Sequence, residues 1–258
     1  MKILKKLFKT GGPKTTTFYQ LYGKVREWKK SGVYPYPMNL PEAISLPGDF
    51  WTKIIKLYKQ TRNDGYERSI SVFWVDGEII LAAVVLGDKS KVKPRGSVKI
   101  AYEPILKDNK YDYYWKKIWV DDKVYSRKKV YHKKVPKKLE KPYYLFNMHT
   151  HPPHAKSVSA YRGFERTETQ IAGDYRGQAA YSYWSAQDIR SFLGSGAVVT
   201  GMISDRMHLL IRSSESPSDA SDLADNGVTR SYLADTLKFG VYEGDFKKRL
   251  EREGLKAS

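Results

Sequence analysis

Cysteine is absent from the 258 residues. No disulfide can brace this fold, and a metal site would have to be built from imidazole and carboxylate alone. Long apolar runs are also missing: no stretch approaches the roughly 18 residues that a membrane-crossing helix needs. The opening MKILKKLFKTGG breaks its apolar residues with lysine too early for a secretory signal. These absences set the expectation of a soluble, cytoplasmic protein. The 12 prolines follow no period, which excludes a collagen-like chain, and no internal repeat is visible. Histidine is scarce, with five in the chain.

Acidic residues are under-represented. Lys and Arg number 46 against 28 Asp and Glu, a net charge of +18. The excess is one-sided: residues 1–140 hold 31 basic and 14 acidic residues (+17), whereas residues 141–258 hold 15 and 14 (+1). Such a field attracts nucleic acid, an anionic membrane surface or an acidic protein. A general lysine-rich bias explains the charge equally well. Four of the five histidines lie in the near-neutral half, so the charge and the candidate chemistry occupy different stretches. A hydrophobic content of 41% with 14% aromatics is ample for a buried core.

Residues 1–12 read as a frayed basic tail. Phe18, Leu21, Tyr22, Val25 and Trp28 recur at helical spacing, and Ser31-Gly32 ends that helix. YPYPMNLP should be extended. A second helix is expected from Asp49 as its cap, with a stripe of Trp51, Ile54, Ile55 and Tyr58, to Asn63-Asp64-Gly65. The strand ERSISVFWV, opened by Glu67, turns at Asp76-Gly77. It returns as EIILAAVVLG, apolar enough for a strand buried on both faces. KIAYEPIL, YDYYWKKIWV and KVYSRKKVYHKK suggest further hairpins, the last two joined at Asp121-Asp122. YYLFNMHTHPP is a strand. Residues 153–184 lack a period and read as a long loop, SAQDIRSFLGSG as a helix, and AVVTGMIS with MHLLIRS as a hairpin about Asp205-Arg206. SSESPSDASDLADNG has a linker's composition. The last 30 or so residues read as a terminal helix docking through Tyr232, Leu233 and Leu237. Together these elements predict an α+β fold, a mixed β-sheet flanked by helices.

Chemistry concentrates at His149-Thr150-His151-Pro152. In a strand, residues i and i+2 share a face, so both imidazoles can reach one point beyond the strand's end. Two neutral imidazoles make half of a tetrahedral zinc site, and a third ligand must come from elsewhere. Two surface histidines are the more ordinary explanation of the pair by itself. In Ser185-Ala186-Gln187-Asp188 the serine caps a helix and the aspartate sits in its first turn, which needs no further purpose. The same geometry makes a rigid platform for a ligand. Glu67, at a strand entry, is where a general base could stand; Glu78 on the return strand competes for that role.

A glutamate at a strand start, then His-x-His-Pro closing a later strand, then Ser-x-x-Asp opening a helix resembles the ordered signature of the JAMM metallopeptidases, also called JAB-domain or MPN-plus proteins. The resemblance covers about residues 47–213. It implies that fold, of cytidine-deaminase-like layer architecture, and a zinc-dependent isopeptidase or peptidase acting after the C-terminal tail of a ubiquitin-like protein. It further implies that His149, His151 and Asp188 bind Zn2+, that Glu67 is the general base, and that Ser185 donates to the oxyanion. Residues 1–46 then form a basic extension with one helix, and 214–258 a linker and C-terminal helix. Residues 88–141 and 153–184 are insertions, the second a lid whose aromatics and arginines grip a peptide tail. The 33 residues between His151 and Ser185 exceed the family's usual spacing. Ser157 and Ser159 are nearer the histidines but lack the following aspartate. His154 reads as a loop residue, His208 as a sheet residue and His132 as solvated.

Other readings differ in class. Amidohydrolases and PHP-type hydrolases also begin with His-x-His at a strand end, but the 107 residues after His151 are too few for the rest of a barrel of about 250. A non-catalytic basic module for nucleic acid is the second. Residues 110–141 interleave tyrosine and tryptophan with lysine and arginine, as single-strand binders do. An ordinary sheet with one packed and one wet face explains the same pattern. A cationic groove wall drawing in an acidic protein tail is a third explanation.

Overall fold

In a computed structural model the chain forms a mixed α+β fold. The structure describes residues 15–82, 84–87, 92, 96–139, 141–152, 183–219, 228–244 and 249–252. The basic tail of residues 1–12 and all but the last two residues of the lid expected over 153–184, with His154, Ser157 and Ser159, lie outside the described residues.

Helices are few. Strand β1 (Thr15–Thr17) runs into helix α1 (Phe18–Ser31). A capping box starts α1: the Gln20 amide donates to Thr17 Oγ1 at 3.3 Å, and the Thr17 amide to Gln20 Oε1 at 2.9 Å. Gly32, left-handed at φ 69°, ends it where the sequence predicts. Residues 37–39 form a 3-10 turn within the stretch expected to be extended. Two short strands escape sequence reading, β1 and β2 (Ala43–Ser45). Helix α2 (Gly48–Asp64) begins after Pro47, not at an Asp49 cap. The fixed φ of proline, −60° here, suits that flanking position without a side-chain bond. Its buried stripe is Phe50, Trp51, Ile54 and Leu57; Ile55 and Tyr58 sit at its margin.

Strand β3 (Arg68–Val75) turns through Asp76 and Gly77, both at positive φ as a tight hairpin requires, into β4 (Glu78–Leu81). EIILAAVVLG is not one doubly buried strand. It breaks after Leu81 and rejoins β3 as β5 (Val85–Leu86), with Val84 and Leu86 exposed. The apolar run misleads because β9 occupies the other edge of β3, leaving this one at the margin. Strands β6 (Val98–Lys107), β7 (Lys110–Val120) and β8 (Lys123–Tyr131) form the expected hairpins as a separate three-stranded sheet. Both turns, Asp108-Asn109 and Asp121-Asp122, take positive φ.

Strand β9 (Tyr143–Thr150), helix α3 (Ala186–Gly194), β10 (Val199–Ile203) and β11 (Met207–Ile211) follow as the sequence predicts. The C-terminal region does not. One wide turn at 232–236 docks Leu233 and Leu237, and then come β12 (Gly240–Gly244) and β13 (Arg249–Arg252). The β-forming Phe239, Val241 and Tyr242 override the helical spacing read there.

The large sheet has ten strands, in the order β1-β2-β13-β12-β11-β10-β9-β3-β4 with β5 beside β4 on β3. Helices α1 and α2 cover one face over a core including Phe18, Trp51, Phe146 and Leu209. Helix α3 and residues 228–239 cover the other over Trp184, Ile189, Met202 and Leu210. The sheet closes across the sequence: β2 pairs with β13. Leu250 is fully buried in the α1/α2 core. Leu250→Ala should therefore lower unfolding free energy by about 2–5 kcal/mol in urea. A loss below about 0.5 kcal/mol would mean that β13 contributes no core.

Candidate metal centre

The end of β9 is fixed on both faces. On the α2 side the Thr150 hydroxyl lies 2.6 Å from the Thr61 hydroxyl of α2, and it accepts from the Arg68 amide at 2.9 Å. The Arg68 guanidinium returns to α2, donating to Asp64 Oδ1 at 2.8 Å and to the Tyr66 carbonyl at 3.0 Å. On its other edge, the His151 amide donates to the Ile203 carbonyl of β10 at 2.8 Å. With Thr150 turned toward α2, strand alternation turns His149 and His151 to the α3 face.

There the two imidazoles converge, Nε2 to Nε2, at 3.0 Å. Asp188, on the first turn of α3, completes the group. Its Oδ1 lies 3.1 Å from His149 Nε2, and its Oδ2 lies 3.4 Å from His151 Nε2. Ser185 caps α3 and holds this carboxylate: its hydroxyl and amide donate to Oδ2 at 2.7 and 2.8 Å, and its hydroxyl accepts from the Asp188 amide at 3.1 Å. Oδ1 keeps its lone pairs for the imidazole side.

Burial would push the Asp188 carboxyl up, but His149 and then His151 outweigh it and hold it well below the usual carboxylate range. His149 and His151 are themselves buried, and the buried Trp184 packs edge-on against His149 at 6.0 Å. The three candidate ligand atoms lie within 4.8 Å of one another. In a tetrahedral site with bonds of about 2.0–2.1 Å, ligand atoms stand roughly 3.3 Å apart. The imidazole separation of 3.0 Å and the 3.1 Å from His149 to Asp188 Oδ1 are near that span, while His151 approaches the other carboxylate oxygen, Oδ2, at 3.4 Å. The group can hold a metal ion.

The structure also places the two glutamates. β3 and β9 run antiparallel with Ser69 opposite His149; Glu67 precedes the strand by one residue, and alternation carried back from Ser69 gives it the same face. Glu67 is buried, and its carbonyl accepts from the Gly87 amide at 2.9 Å. Glu78 stands at the far end of β3, opposite Val75. Burial works against its charge, yet Lys128 at 2.9 Å and Lys116 at 3.2 Å hold its carboxyl below the usual range. His208 is a sheet residue and His132 is exposed, as expected.

Two features went unread in the sequence. The buried Ser69 hydroxyl has no hydrogen-bond partner among the described residues, and it faces the site opposite His149. Stepping by two from Glu67 would have found it. Beyond Met202 on the same face, His208 pairs with Glu243. The Glu243 carboxylate is fully buried, accepting from Arg230 Nε at 3.0 Å and Arg206 Nη1 at 3.2 Å, with His208 Nδ1 at 3.4 Å. Burial opposes its charge, and His208 and Arg230 more than compensate. No sequence spacing links residues 206, 208, 230 and 243.

No family model, curated protein or solved structure matches the chain.

The strut from α2 to β3 has a pH signature. Arg68 lowers the Asp64 carboxyl to about 2 from 3.8. A depressed carboxyl adds stability above its unfolded value and loses it as pH falls through the folded one. Asp64 is 42% exposed, so the gain is under about 1 kcal/mol. Asp64→Asn should be slightly less stable at neutral pH, and the gap should close as pH drops from about 4 to about 2. Urea unfolding at each pH reads this; a gap that widens on acidification refutes it.

Proposed function

We propose that the chain is a zinc-dependent isopeptidase or peptidase resembling the JAMM family, in a fold of that type. It would hydrolyse the bond after the C-terminal tail of a ubiquitin-like protein in the cytoplasm. The observation that carries this reading is the convergence of His149, His151 and Asp188 from two separate elements; Glu67, buried just before β3, is the glutamate assigned to them as base. Zinc suits a cysteine-free set of two imidazoles and one carboxylate, which leaves a fourth position for water or substrate.

When bound, zinc lowers the pKa of a water to about 7 and polarises an amide carbonyl. Glu67 takes a proton from the attacking water and delivers it to the departing amine. Ser185 orients Asp188 through its hydroxyl; rotation of that hydroxyl toward the carbonyl oxygen would supply an oxyanion donor. Trp184 shields His149 from water and keeps the local dielectric low.

Elemental analysis and a cleavage panel of ubiquitin-like fusions test the reading. The parent should carry one zinc per chain. Asp188→Asn should lose most of it, because an amide is a poor ligand. Full zinc in a His149→Ala/His151→Ala double variant would eliminate this centre. Glu67→Gln should keep zinc and fold while turnover falls by about 10²–10⁴. If Glu78→Gln abolishes turnover and Glu67→Gln does not, the base has been misassigned.

A further inference from the structure

The sheet of β6, β7 and β8 has two unlike faces. Lys116, Ile118 and Val120 of the central strand β7 are buried. They turn inward, where Ile118 and Val120 pack with Val75, Ile80 and Ala82 of the large sheet's margin. The alternate residues of β7, Tyr113, Trp115, Lys117 and Trp119, face outward. The register lays Trp115 beside Lys129, Lys117 beside Arg127, and Tyr113 beside Tyr131. Tyr113 and Tyr131 are 40% and 39% exposed.

Cations lie over these rings. The Arg127 guanidinium is 3.8 Å from the Trp115 ring centre, and Lys129 Nζ is 4.0 Å from that of Tyr113. Acids nearby are already used: Glu103 pairs with Lys117, and Asp122 with Lys99 at 2.7 Å. Arg127 and Lys129 form no ion pair among the described residues, so their charge is available. Residues 97–139 hold 13 basic and 5 acidic residues, a balance of +8.

We infer that this outward face of β6–β8 binds single-stranded nucleic acid. A wet sheet face has no need of two tryptophans. Arg127 and Lys129 are on the edge strand β8, but a lysine that only guards an edge has no need to lie over a ring, whereas these two lie over Trp115 and Tyr113 of the central strand. Unpaired nucleotides require what is assembled here: a planar ring for each base and a cation within reach of the adjoining phosphate. A base stacked on an aromatic ring gains more than an exposed cation over the same ring, so base binding displaces the cation toward phosphate. A duplex hides its base faces, and an acidic polypeptide would use the charge but leave the rings idle. The inference is independent of the metal centre and of peptidase activity.

Fluorescence anisotropy with labelled oligothymidylate and oligouridylate of about 20 nucleotides, titrated on the full chain at several salt concentrations, tests it. Affinity should fall with salt. Arg127→Gln/Lys129→Gln should reduce the log–log slope by roughly 1.4, at about 0.7 per phosphate contact on a single strand. Tyr113→Ala and Trp115→Ala should each weaken binding roughly tenfold with the slope unchanged. Circular dichroism melts keep folding separate from binding, and the exposed Tyr113 serves if Trp115→Ala destabilises the sheet. Absence of binding at low salt overturns the inference. So does binding that ignores all four residues. So does binding that depends on Arg127 and Lys129, is competed by polyglutamate and is indifferent to Tyr113 and Trp115, which would make the face a site for acidic polypeptide.

Discussion

Strand alternation governs the centre of this molecule. A β-strand must send successive side chains to opposite faces, and the end of β9 uses both. Thr150 is held on one side by Thr61 and the Arg68 amide. His149 and His151 are thereby committed to the other, where α3 delivers Asp188. A slip of one residue in the β3–β9 register would turn both imidazoles toward the α1/α2 core and bring Thr150 to the carboxylate. The hydroxyl pair between Thr150 and Thr61 costs little as an interaction, yet its buried partners would be left unsatisfied by such a slip. Register and site are therefore enforced by the same few bonds.

What the sequence disclosed follows the reach of its signals. Asp76-Gly77, the Ser185–Asp188 box and the helical stripe of α1 are local patterns, and the structure contains all three. The candidate ligands His149, His151 and Asp188 were legible because each sits at the end of an element with a strong local signature. Long-range pairings were not. β1, β2 and β13 are short strands of three, three and four residues, formed only because a neighbouring edge is available. EIILAAVVLG misleads because apolarity reports burial without saying which edge is occupied. The Glu243 cluster is tertiary throughout: its partners come from a turn, a strand and a segment beyond β11.

Buried charge is handled in two ways on one face of the sheet. A cross-strand row runs Ser69, His149, Met202, His208, Glu243. At one end, Asp188 meets two imidazoles whose nitrogens and its own oxygen converge on a small volume. At the other, Glu243 meets two guanidiniums and an imidazole that saturate its oxygens. Only the first leaves convergent lone pairs for a cation. The second is a closed ion cluster that fastens residues 228–236 to the sheet, with Met202 as the apolar spacer between them. Those convergent atoms make the first cluster, and not the second, a candidate cation site.

The pairing of β2 with β13 bears on how the protein is made. Ile44 and Leu250 lie opposite each other in the sheet but about 200 residues apart in the chain. During synthesis β2 emerges about 200 residues before β13, and its edge away from β1 stays open until that strand has left the ribosome. Closing so long a loop is entropically slow, and the next longest pairing in the sheet, Ser69 with His149, spans only 80 residues. Until β13 is made, the nascent chain carries an unpaired strand edge at β2, a natural client surface for chaperones that shield such edges. Completion of the sheet therefore waits on β13, whose Leu250 enters the same core as the buried face of α1.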